Sequence, residues 1–171
     1  MNKLLCTLLL AASFNTLSAV DDIVGFWKTI DDKTKKPESI LAIYEYQGKF
    51  YGRLIATYNE QGQLNDTIDH PVDRAPGVEG HPYYSGLDIL WDLQKDGNKY
   101  DGGTILNPES GSEYEAEAWT KNGNLVVRGE ILFLGRNQTW PRATDADFPQ
   151  GFNKPDLTKF VPVIPKVHGK S

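Results

Sequence analysis

The 171-residue sequence contains one cysteine, Cys6, and one methionine, Met1. Cys6 sits in an N-terminal apolar run, so removal of that run leaves neither a disulfide nor a thiolate metal site. Stability then has to come from a packed core. Long apolar runs are scarce too: residues 4–14 fall short of the roughly 20 residues that a spanning helix requires. With 18 Lys and Arg against 23 Asp and Glu, the formal net charge is −5. The basic residues never gather into a tract that would follow phosphates, which argues against nucleic acid as a partner. Helical periodicity is nearly absent. There is no Gly-x-Ser-x-Gly elbow, phosphate-cradling glycine loop or dinucleotide fingerprint. No cofactor is expected, and no residue is assigned a catalytic role.

The N-terminus carries Lys3, the apolar run 4–14, and Leu17-Ser18-Ala19 before the acidic pair Asp21 and Asp22. This order predicts a secretory signal peptide over 1–19, cleaved after Ala19, and hence an exported protein, periplasmic or secreted. Cys6 stands at the start of the apolar run rather than after it, which disfavours a lipid anchor. Loss of Lys3 takes the charge to −6, with 17 basic and 23 acidic residues in a chain of about 152. A chain of that length supports one domain without staples.

Period-two alternation separated by turn signals predicts an all-β, antiparallel meander. Strands are expected at 23–30, 40–46, 49–58, 87–94, 100–106, 113–120, 125–132 and 138–142. Gln47-Gly48, Asp96-Gly97-Asn98 and Asn122-Gly123-Asn124 tolerate positive φ and suit tight hairpins. Sequential strands therefore pair in up-and-down order. Eight such strands avoid exposed edges by closing into a barrel, whose interior is filled by side chains or holds one small ligand. The segment 59–85 is broken by Gly62, Pro71, Pro76, Gly77, Gly80 and Pro82 and reads as a long loop of the kind used as a lid or binding loop. From 143 to 171, Pro149, Pro155, Pro162 and Pro165 predict a Pro-rich extension that packs on the barrel through Phe148, Phe152, Phe160 and Val161 or trails from it.

Alternation places Glu113, Glu115 and Glu117 toward water and Tyr114, Ala116 and Ala118 inward. It also puts Leu125, Val127, Gly129 and Ile131 on one face of their strand, and separates Phe50, Gly52, Leu54 and Ala56 from Lys49, Tyr51, Arg53 and Ile55. Asp69, His70, Asp73 and His81 offer oxygen and nitrogen donors to a metal, but their spacing matches no established motif and no metal is expected. Asp88, Asp92, Asp101 and Glu109 are carboxylates that a general acid–base pair would need, and they read more simply as a solvated face. Asn137-Gln138-Thr139 has glycosylation spacing inside a predicted strand.

Two sets of motifs carry a resemblance. One is Ile23-Val24-Gly25-Phe26-Trp27. The other runs from Gly102-Gly103-Thr104-Ile105-Leu106-Asn107-Pro108 through Ser110-Gly111, Tyr114 and Arg128-Gly129 to Gly135-Arg136-Asn137-Gln138-Thr139-Trp140-Pro141-Arg142. Together they resemble a bacterial family of exported proteins, domain-of-unknown-function family 2147, whose structures are lipocalin-like barrels. The resemblance implies a lipocalin-like barrel over 20–142, with Gly25 and Trp27 on the opening strand and Arg142 closing one end as a structural partner.

The expected function is binding of a small, largely apolar ligand, such as a fatty acid or lipid-like molecule, inside the barrel. Tyr51, Tyr83, Tyr84, Trp91, Tyr114 and Trp119 are the candidate contacts, since a pocket needs apolar walls with a few polar handles. The alternatives are an envelope protein-interaction module with a filled core, using the loop or tail, and a hydrolase of envelope glycan or lipid.

Overall fold

Two-residue turns set the strand pairing. Gln47 and Gly48 have φ of 51° and 78°, and Asn122 and Gly123 have 52° and 77°. Positive φ at both central positions matches the twist of antiparallel strands and joins them without splaying. A computed structural model describes residues 23–31, 33–131 and 134–168; the expected signal peptide lies outside the described residues.

The strands are β1 (Gly25–Ile30), β2 (Pro37–Tyr46), β3 (Lys49–Tyr58), β4 (Leu64–Thr67), β5 (Asp88–Asp96), β6 (Lys99–Asn107), β7 (Ser112–Lys121), β8 (Asn124–Ile131) and β9 (Leu134–Trp140). Eight run in the order β1-β2-β3-β5-β6-β7-β8-β9, all antiparallel, and β4 pairs with β3 off this path. The residues after β9 return to β1: Lys28 N–H donates to Pro141 O and Ala143 N–H to Phe26 O, each at 2.9 Å. The eight-stranded sheet is thus nearly closed into a barrel, with the segment that follows β9 laid along the edge of β1. The expected eight strands are all present, 49–58 with the bounds expected and the others with shifted ends. The sequence reading missed β4, a Leu-Asn-Asp-Thr segment with no apolar alternation, which borrows its pairing from the end of β3.

The short turns at 47–48, 97–98 and 122–123 gather at one end of the barrel, and the longer connections lie at the other. The interior near the short turns is packed solid by Trp27, Leu41, Ile43, Phe50, Leu90, Leu93, Tyr100 and Leu125. Phe50 and Tyr100 meet edge to face at 4.9 Å. Gly52 permits this density: a Cβ there would lie 2.9 Å from Leu41 Cδ2 and 3.0 Å from Leu90 Cβ.

The strands β1–β3 are apolar on both sides. Ile40, Ala42, Ile55 and Ala56 form a second core outside the barrel, covered by Phe26, Tyr58, Leu64, Phe148, Phe152, Leu157 and Phe160. The Leu41/Leu54 and Ile40/Ala56 pairs flank a register shift, which moves Ala56 from the face of Leu54 to that of Ile55. That shift is why strict alternation groups Ala56 with the wrong neighbours. The long loop docks on the β6–β7 turn, where Gly77 N–H donates to Pro108 O at 3.0 Å. Gly77 is so close to Gly111 that a Cβ on it would fall 2.1 Å from the Gly111 nitrogen.

Candidate ligand-binding cavity

Small inward residues hollow the barrel at the long-loop end. Ala116 of β7 pairs with Gly103 of β6 on one side and Gly129 of β8 on the other, so one rung crosses three strands with almost no side-chain volume. Leu93 covers Gly103 from the packed end, whereas a Cβ on Gly129 would meet only Ile105 Cγ2 at 3.5 Å and Tyr114 Cβ at 3.6 Å. The resulting cavity holds about 990 Å³, at the upper end of what small-molecule sites enclose.

Its lining mixes apolar side chains, Leu54, Ile89, Ile105, Val127 and Trp140, with the polar Thr29, Ser39, Thr57, Arg136 and Gln138. Tyr58, Tyr84, Tyr114, Glu38, Asp73, Pro76 and Glu109 surround the opening. The wall's own polar groups are partly satisfied: Thr29 Oγ1 and Ser39 Oγ share a 2.6 Å hydrogen bond, and Trp140 Nε1 donates to Gln138 Oε1 at 3.1 Å. Tyr84 is positioned by the loop, its N–H donating to Asp73 O at 3.0 Å. Burial raises the pKa of its phenol, and the charges of Glu109, Asp73 and Glu38 raise it further.

Of the six aromatic residues expected at the site, the structure brings Tyr84 and Tyr114 to the cavity. Tyr51 lies on the outer face of β3, stacked on Tyr44 and donating from its hydroxyl to Asp92 Oδ1 at 3.2 Å. Tyr83 sits under the Arg74 guanidinium, 4.0 Å from the ring centre, beside a separate groove between loop and tail. Trp91 pairs with Thr104, while its neighbour Leu90 pairs with Ile105 of the cavity wall, so Trp91 points to the other side of the sheet. Trp119 shares its face with the glutamates of β7 and lies under Lys99 at 5.2 Å. Alternation sets the outward face of Tyr51 and Trp119, whereas Trp91 is turned outward by the register shifts on either side of it in the β3–β5 ladder, and Tyr83 belongs to the long loop.

Trp140, Gln138 and Arg136, named in the sequence only as part of the family motif, were not expected to line the cavity. They alternate along β9, opposite Leu125, Val127 and Gly129 of β8, and that pairing was the available signal. Asp69, His70, Asp73 and His81 do not converge, because His81 turns its ring toward His168 at 5.5 Å while His70 closes a local bridge with Thr67. Among the described residues no three metal-ligating side chains gather. Asp88 and Asp92 are engaged by Arg53 and Lys49, and Glu109 stands at the rim. At the packed end the Arg142 guanidinium covers the Trp27 ring at 4.2 Å, and Trp27 Nε1 donates to Ile23 O at 2.8 Å.

Residues 25–142 match the family described as an uncharacterized protein conserved in bacteria, DUF2147. Among solved structures, protein HP1028 from Helicobacter pylori, described as belonging to the lipocalin family, superposes with a TM-score of 0.59. The alignment is 21% identical and covers 72% of this chain and 84% of that one, which is a likeness of fold. No curated protein matches the sequence. With the match spanning the whole barrel, from the first residue of β1 to the arginine that covers Trp27, this chain belongs to the DUF2147 family and folds as a lipocalin-like barrel.

Proposed function

We propose that the protein is an exported binding protein, working in the periplasm or outside the cell, that holds one compact small molecule in the long-loop end of its barrel. The cavity of about 990 Å³, lined by apolar side chains with polar groups set among them, carries this reading. Export is inferred from the basic, apolar and small-residue order of residues 1–19. The packed half of the barrel closes off the cavity's depth, which favours a compact amphipathic ligand over a fully extended acyl chain. Its apolar body would bury against Ile105, Val127 and Trp140, at about 25 cal/mol per Å² removed from water.

Native mass spectrometry of protein purified from its own exporting host tests this. A discrete extra mass released on unfolding supports the binding reading. A clean mass that persists after incubation with lipid and metabolite mixtures moves weight to a protein-interaction module. That second reading draws on Val161, Val163 and Ile164, which expose apolar side chains along the tail.

A further inference from the structure

Three carboxylates meet at one side of the cavity opening, each delivered by a different element. Glu38 comes from the start of β2, Asp73 from the long loop and Glu109 from the β6–β7 turn. The last two stand on fixed backbone: Glu109 N–H donates to Asn107 Oδ1 at 3.0 Å, and the adjoining Pro108 carbonyl accepts from Gly77 N–H at 3.0 Å. Asp73 O in turn accepts from Tyr84 N–H at 3.0 Å. Tyr84 therefore stands among the carboxylates, and Tyr114 presents a second ring to the same cavity.

The lining also contains two arginines. Arg74 is drawn away, its guanidinium lying on Tyr83 at 4.0 Å with Nη1 donating to His81 O at 2.9 Å. Arg136 stands in the wall on β9, paired in register with Gly129, and already has an interaction within the protein, as does Glu38. Arg74 follows Asp73 in the loop and lines the same cavity, but its guanidinium is held on Tyr83 and His81 O, and the charges that act on Tyr84 are those of Glu109, Asp73 and Glu38.

We infer that the ligand carries a protonated amine, seated at the rim beside Tyr84 between Asp73 and Glu109, with its apolar body directed toward Ile105 and Trp140. This rests on the binding reading above and specifies the ligand's charge. Carboxylates attract the ammonium directly, and the phenol faces add a cation–π contribution. A carboxylate ligand would meet like charge at the same place.

The test uses three probes sharing one aromatic body: naphthylmethylamine, naphthylmethanol and naphthoate, each titrated calorimetrically into the full chain at neutral pH. The amine is expected to bind about tenfold more tightly than the alcohol and the naphthoate more weakly than either. The amine preference should shrink with added salt and approach one in the Asp73→Asn, Glu109→Gln double variant. Naphthoate binding as tightly as the amine, or an amine preference that survives the double variant, overturns this inference and leaves the cavity reading standing. Failure of all three probes to bind overturns both.

Discussion

Arg53 and Asp88 face each other across the β3–β5 ladder in a bidentate pair. Arg53 Nε donates to Asp88 Oδ1 at 3.0 Å and Nη2 to Oδ2 at 2.7 Å, with the Asp88 side chain fully buried. The same two residues hold the tail: Val163 N–H donates to Asp88 Oδ2 and Arg53 Nη2 to Val161 O, each at 2.8 Å. Tyr44 O–H adds a fourth bond to Asp88 at 2.9 Å, and burial, followed by the Asp88 charge, drives its pKa well above the ordinary phenol range.

Asp88→Ala strands a buried guanidinium and frees Val163 N–H. The expected cost is about 3–5 kcal/mol of folding free energy, read from urea unfolding, with faster proteolysis of the chain after Phe160. Wild-type stability in this variant would refute the pair's role as the tail's anchor.

Gly25 has φ of +137°, and a Cβ on it would fall 2.6 Å from Arg142 Nη1. Gly25→Ala is expected to destabilise by about 1–3 kcal/mol through backbone strain and displacement of the guanidinium from Trp27. Chemical denaturation of Gly25→Ala, Arg142→Ala and the double variant checks it; the two losses should be less than additive because they act on one contact.

Gly129 faces the cavity with ordinary van der Waals distances around its missing side chain. Gly129→Leu should keep the fold and reduce ligand or probe affinity at least about tenfold by occupying the space the ligand needs. Circular dichroism and the calorimetric titration measure the two effects separately. Undiminished affinity in a folded variant would place binding elsewhere.

Asp66 is buried beside Ser85, with Oδ1 accepting from Val72 N–H at 2.9 Å. Its Oδ2 and the Ser85 hydroxyl oxygen are buried without a partner that meets hydrogen-bond geometry. Burial raises the carboxyl pKa above its ordinary value, against the opposing Val72 hydrogen bond. A raised native pKa means that the folded state holds the proton more tightly than the unfolded chain. The stabilisation is full below the unfolded value of about 3.9 and is lost as pH rises through the native value. Asp66→Asn removes the charge, keeps the acceptor for Val72 and supplies a donor for Ser85. It should be more stable than wild type at neutral pH by about 1 kcal/mol, with the difference disappearing near pH 4. Thermal unfolding across that range decides the sign.

The barrel was legible because Gly and Asn in two-residue turns punctuate alternating strands, as at Gln47-Gly48 and Asn122-Gly123. The Trp27–Arg142 contact followed from the family's motifs, and the structure has the two in contact. The site was harder to read. Ligand contacts were sought among aromatics, whereas Gly129 leaves the space open and much of the lining comes from Thr29, Ser39 and Gln138. Trp119 shows the remedy: it alternates in phase with Glu113, Glu115 and Glu117, so its outward face was already written in β7.

The outer core over β2 and β3 sets the limit of the folding unit. Ile40, Ala42, Ile55 and Ala56 are completely buried, and Phe148, Phe152, Leu157 and Phe160 of the tail supply much of their cover. A polypeptide ended at Arg142, where the family match stops, would carry a closed barrel with a bare oily flank. Such a product would be sticky, and recombinant boundaries drawn at the match would select for inclusion bodies. During synthesis the strands β2 and β3 emerge well before the residues at 148–160 that cover them.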